Sequence, residues 1–178
     1  QGEGARSWRA ATHTPTATAT FTPVLNPGCL MAVAVGPYAP GQRGGDPISE
    51  AQAHQYVDLA PSVARGFRTF GLTNGLEYMI PFGKEIGLTT YAGVFINSED
   101  AQNWSQLDGL RSVAYAVDTA IVGNRAVSNH DVDLAGNLWW ADRARDTLVS
   151  EGSSAPVTIA EEWQFVRDNV GVIEPHVD

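Results

Sequence analysis

Short apolar runs alternate with longer segments of helical periodicity along most of this chain. From Leu30, LMAVAVGPY is an apolar run closed by Gly-Pro, and ISEAQAHQYVDLAPSVA follows with helical spacing and a Ser-x-x-Gln start at Ser49. GFRTFGL is a second run, and LEYMIPFGKEIG reads as a helix closed by Gly87. LTTYAGVFIN predicts a third strand, and SEDAQNWSQLDGLRSVAYAVD a third helix, capped by Ser98 with acids in its first turn. TAIVGN, then DLAGNLWWADRARDTLVSEG, give a fourth strand and helix; APVTIAEEW and VGVIEPHV predict a fifth and a sixth strand. Strands alternating with helices at about 30 residues per unit imply parallel β/α crossovers. The runs lack in-out alternation, as strands covered on both faces should. An α/β fold follows, either a doubly wound sheet or a TIM-type (β/α) barrel.

Residues 1–27 break the pattern: ATHTPTATATFTP is Thr, Ala and Pro with almost no charge. A linker reading is favoured for this N-terminal extension. TATATFT also alternates strictly with β-branched Thr, so a strand that adds to a neighbouring sheet is the competing reading. Residues 28–178 are then the β/α domain.

Composition narrows the partners. A net charge of −9 argues against nucleic acid and anionic membrane surfaces, which need a positive field. No apolar run reaches the ~20 residues of a membrane span. The single Cys29 excludes an intrachain disulfide and is expected to be a small buried hydrophobe rather than a nucleophile. The start at Gln1 without Met fits a processed, secreted, extracellular protein. NWS at Asn103 matches the glycosylation acceptor pattern. GPYAPGQRGG lacks the G-x-G-x-x-G spacing of a dinucleotide fold, the phosphate-loop GK[ST] is missing, and the scattered histidines form no metal motif. No cofactor is expected.

In either fold, chemistry belongs at the carboxyl ends of the strands. Those ends carry Tyr38, then Arg68, Phe70 and Asn74, then Phe95 and Asn97, then Asn124 and Arg125. Glu161, Glu162 and Trp163 follow, and finally Glu174 and His176. Rings that stack on a pyranose, with amides and acids for its hydroxyls, suit a sugar.

Six of these segments, in order, resemble glycoside hydrolase family 17 and its bacterial β-1,3-glucanase-like relatives: VGPYAPGQ, FRTFGLTNGLE, GLTTYAGVFI, AIVGN, PVTIAEEW and VIEPHVD. The resemblance implies a (β/α)8 barrel and retaining hydrolysis of β-glucan or a related polysaccharide. Its substrate-binding set would be Tyr38, Arg68, Phe70, Asn124, Glu161, Trp163, Glu174 and His176. It fails at the chemistry. Where the family places its acid/base glutamate, after the strand-four Asn, this chain has Arg125, and it stops at Asp178 before the strand that would carry the nucleophile.

A retaining glycosidase needs two carboxyl groups about 5–5.5 Å apart. A guanidinium is neither the acid nor the attacking group, and it opposes the positive charge that develops on the sugar. Glu161 and Glu174, on neighbouring strand ends, are the candidates to take over; the expected role of Glu161 is instead to bind a sugar hydroxyl or to pair with Arg125 or Arg68. The expectation is an inactive or impaired carbohydrate-active protein. Two alternatives stay open. One is an extracellular, filament-forming structural subunit on a degenerate hydrolase fold. The other is a module that holds glucan without cutting it. Six strands of eight would leave open edges, closed by further polypeptide, by another chain or by the N-terminal segment in self-assembly.

Overall fold

A computed structural model describes residues 30–178. The Thr/Pro-rich extension, its TATATFT segment and Cys29 lie outside the described residues.

Five parallel strands form one sheet: β1 Val33–Ala34, β2 Gly66–Arg68, β3 Thr89–Val94, β4 Thr119–Val122 and β5 Val157–Ile159. Their spatial order is their sequence order, β1-β2-β3-β4-β5. A doubly wound sheet reverses direction part-way, which is where its ligand crevice arises. This sheet never reverses, so it is an arc of a barrel.

The helices agree. α1 Glu50–Val57, α2 Met79–Glu85, α3 Asp100–Val113 and α4 Leu134–Ser150 alternate with the strands. Phe67, Ala92, Val94, Ala120, Val122 and Val157 are all buried in one core with Met79, Ile80, Leu107, Leu110, Ala144 and Leu148 of the helices. Side chains alternate across a strand. The opposite face accordingly carries Arg68, Tyr91, Thr119, Ile121 and Thr158, each half-buried. The expected lack of alternation was therefore chemical only. Burial does alternate, because helices cover one face and the concave face of the arc stays open.

Local signals explain several element boundaries. The Ser49 hydroxyl accepts from the Gln52 N–H and Asp133 accepts from Gly136, each opening a helix. Gly87, at φ +82°, closes α2. Gly83 lets α2 lie directly on β2, since a Cβ there would stand 2.1 Å from the Phe67 ring.

Three expectations need correction. Ser98 does not cap α3: Glu99 is the capping residue and makes no side-chain bond, while the Asn97 carboxamide accepts from the Glu99 N–H at 2.8 Å. The sixth strand is absent where it was placed. Residues 170–173 form a helical turn, α6, after α5 Trp163–Asp168, and Glu174–His176 form a 3-10 turn. Of this apolar run only Ile173 is buried, whereas Val170 and Val172 face solvent. One apolar contact per turn suits a helix, and tertiary packing overrides the β propensity of the valines. Extended pairing begins only at Asp178, whose N–H donates to the Val157 carbonyl at 2.9 Å. Finally, Asn103 is fully buried, with its carboxamide bonded to both the N–H and the carbonyl of Asn97. It offers no glycan acceptor on the folded surface.

Candidate functional site

The carboxyl ends of β1, β2 and β3 surround a cavity of about 460 Å³. Tyr38, Phe70 and Phe95 supply rings to its wall, and Thr73, Asn74, Gln102 and Gln106 supply hydroxyl and amide groups. Among its lining residues none carries a carboxylate or a basic side chain. Phe70 and Phe95 are each more than a third exposed, which is unusual for core phenylalanines and usual for ligand contacts.

Backbone geometry shapes the rim. Asn74 (φ +59°) and Gly75 (φ +94°) turn the chain sharply after β2. The Asn74 carboxamide donates to the Gly45 carbonyl at 3.0 Å, and the Gly45 N–H donates to the Tyr38 hydroxyl at 3.2 Å. The loops after β1 and β2 are thus stitched together across the mouth. Tyr38 is carried by the loop after β1 rather than by the strand itself.

Arg68 lies beside this cavity on the concave face. It stacks over Phe70 at 5.7 Å and donates to the Gly123 carbonyl at 3.3 Å and to Asn124 Oδ1 at 3.5 Å. Its Nε is buried without a partner, and burial lowers the guanidinium pKa from its ordinary value. No carboxylate pairs with it among the described residues, so the expected Glu161–Arg68 pair is not formed.

Arg125 adopts a left-handed backbone (φ +61°), its N–H donates to the Ala160 carbonyl at 2.7 Å, and its guanidinium is ion-paired with Glu162. Glu161 serves a different purpose. It accepts from the Val127 N–H at 2.9 Å, the Ser128 N–H at 3.3 Å and the Ser128 hydroxyl at 2.8 Å. A carboxylate with three donors fastens a loop.

The remaining predicted residues scatter. Trp163 begins α5 and is 75% exposed, so it remains on the rim after β5. Glu174 and His176 are on the 3-10 turn, not on a strand end. The His176 ring bonds Asp142 of α4 at 3.0 Å, and its backbone carbonyl accepts from Arg145. The approach of Glu161 to Glu174 on neighbouring strand ends, the candidate route to catalysis, is therefore lost with the sixth strand. Tyr38 and Phe70 come together, Arg68 and Asn124 touch, and Glu174 and His176 belong elsewhere.

Sequence reading passed over Thr73, Gln102 and Gln106. A signal was available for the last: Gln106 shares the apolar stripe of α3 with Leu107, Leu110 and Val113, where a polar residue needs a reason.

Among the described residues no group of three His, Cys, Asp or Glu side chains could hold a metal ion, and no helix is long and apolar enough to cross a membrane.

No protein-family model and no curated protein matches the sequence. Among solved structures, the fold is similar to that of a glycoside hydrolase family 17 β-1,3-glucanosyltransferase from Rhizomucor miehei, with a TM-score of 0.63 and 17% identity. The likeness covers 84% of this chain and 55% of that one, so this chain spans about half the length of that enzyme. At this identity the likeness establishes the architecture: a five-stranded arc of a TIM-type barrel with a glycoside hydrolase family 17 enzyme as its structural neighbour.

Proposed function

We propose that this chain is a carbohydrate-active protein that holds neutral glucan in the cavity over β1–β3 and does not hydrolyse it. The observation that carries the proposal is the chemistry of the cavity wall: three aromatic rings with hydroxyls and amides, and no ionised group. Rings stack on the apolar face of a pyranose, and amides both donate to and accept from its hydroxyls. An uncharged wall also suits a polymer without carboxylates, consistent with a net charge of −9 that repels acidic ones.

The absence of hydrolysis rests on the β4 tip. A retaining mechanism needs one protonated and one ionised carboxyl facing the same bond. Here Glu162 is neutralised by Arg125, and Glu161 is engaged by three donors from the loop at 127–128. Both carboxylates are thus committed to protein partners. An extracellular setting belongs to the same proposal, since that is where such polymers lie.

Calorimetric titration with laminari-oligosaccharides tests the binding. Saturable heat is expected, and Phe70→Ala should weaken it about tenfold, the scale of one well-placed aromatic contact. Absence of heat at millimolar sugar would remove the proposal.

A second reading, an assembly subunit, is favoured by one observation. The concave face exposes Phe70 and Phe95 and is covered by no further element among the described residues. Concentration-dependent light scattering would favour it; a monodisperse monomer at high concentration would count against it.

A further inference from the structure

We propose that Gln106 is the positioning residue of the cavity, and that by fixing the separation of Phe70 and Phe95 it decides which glucose linkage the cavity accepts. This rests on the reading of the cavity as a glycan site.

Gln106 is nearly buried on α3. Its Oε1 accepts from the Leu72 N–H at 2.7 Å and from the Phe95 N–H at 3.4 Å, while its Nε2 donates to Thr73 Oγ1 at 2.8 Å. One side chain therefore joins the segment after β2 to the end of β3. Both segments carry a wall ring: Phe70 lies two residues before Leu72, and Phe95 is itself a partner. The approach of α3 is built for this contact. Gly109, one turn further on, brings the helix so close to the same segment that a Cβ there would stand 2.0 Å from the Leu72 carbonyl oxygen. On the other side, a Cβ at Gly71 would meet Gln106 Oε1 at 3.2 Å.

A buried amide in this position is replaceable only by a group that meets the same partners. Leucine at 106 would strand two backbone donors and a hydroxyl, and the two rims would move apart to reach water. The consequence for a sugar is geometric. β-1,3 and β-1,4 linkages turn successive pyranose rings differently, so two rings at a fixed spacing stack well on only one of them.

The test compares the intact chain with Gln106→Leu and Gln106→Glu. Each is titrated with glucose oligosaccharides of equal length, β-1,3-linked and β-1,4-linked, and amide hydrogen exchange is followed without sugar. Gln106→Leu is expected to weaken the preferred oligosaccharide about tenfold and to bring the two linkages within about twofold of each other, the effect of losing one buried hydrogen-bonding group. Gln106→Glu keeps both acceptor bonds but buries a carboxylate in the cavity wall, so both oligosaccharides should bind more weakly while the preference between them persists. Exchange at the Leu72 and Phe95 amides should rise together by about tenfold in Gln106→Leu, while Ala92 in mid-β3 stays protected.

A purely structural role would lower melting temperature without changing the linkage ratio. An unchanged ratio, or unchanged exchange at those two amides, overturns the proposal. If the parent binds neither oligosaccharide, the glycan reading fails, and the exchange data alone decide whether Gln106 ties the two rims. If Gln106→Leu does not fold, Thr73→Val removes one of the three contacts; a shift of the ratio in the same direction supports the tie, and an unchanged ratio refutes it.

Discussion

Two adjacent glutamates at the end of β5 have opposite energetics. Glu162 meets Arg125 where both side chains are about half exposed, 53% and 55%. Such a pair contributes at most about 1 kcal/mol, because water screens it. Glu161 receives one hydroxyl and two backbone donors, and charge-assisted bonds of this kind are the stronger ones. Glu161→Gln should therefore cost about 2 kcal/mol of stability, and Arg125→Gln, which only removes the pair, less than about 1 kcal/mol. Urea unfolding of both variants checks the order; equal losses would mean that the 127–128 loop does not depend on Glu161. Arg125 at the tip of β4 was plain in the sequence. The partner of Arg125 was not, since choosing between Glu161 and Glu162 needs the direction in which each side chain leaves the strand end.

At the scale of elements, close approach and charge set the tolerances. Gly83→Ala would drive a methyl into the Phe67 ring, which has nowhere to go in a filled core. A loss of about 1–3 kcal/mol is expected, against a small change for alanine at Gly44, which meets nothing within 4 Å. Thermal melts of the two variants compare these directly.

Asp118, entering β4, gives a pH signature. Burial alone would raise its pKa, but the Lys84 ammonium and the Thr90 N–H and hydroxyl outweigh burial and lower it. A carboxyl depressed in the folded state binds fewer protons than in the unfolded chain. Its contribution is present above the unfolded value and is lost as pH falls through the folded one, that is, below about pH 4. Asp118→Asn should flatten the acid limb of the stability profile there and leave its slope near pH 7 unchanged; an unaltered acid limb would contradict the assignment.

Helices α1–α4 were legible, because a cap such as Ser49 and the stop at Gly87 are local signals. VGVIEPHV misled because four apolar residues carry no period, and only the packing of Ile173 against the rest decides between strand and helix.

For the whole molecule, the order of strands was readable and the closure was not. Alternating β/α units left a doubly wound sheet and a barrel open, the missing nucleotide fingerprint weakened the former, and the unreversed sheet with helices on one face decides for the barrel arc. The cavity was half legible. Tyr38 and Phe70 sit where strand ends were expected, whereas Thr73, Gln102 and Gln106 come from a loop and a helix that meet only in three dimensions. The architecture also separates binding from chemistry. Sugar contacts would lie over β1–β3, whereas the charge-neutralised tips belong to β4 and β5.

One measurement tests that separation most directly: an amide NMR titration with laminari-oligosaccharide in which the sugar's anomeric signals are followed in the same tube. Saturable shifts are expected at Phe70, Asn74, Phe95 and Gln106, none at His176 beside Asp142 of α4, and no new reducing-end signal over days. Growth of reducing-end signals, or shifts confined to residues outside the cavity, would contradict it.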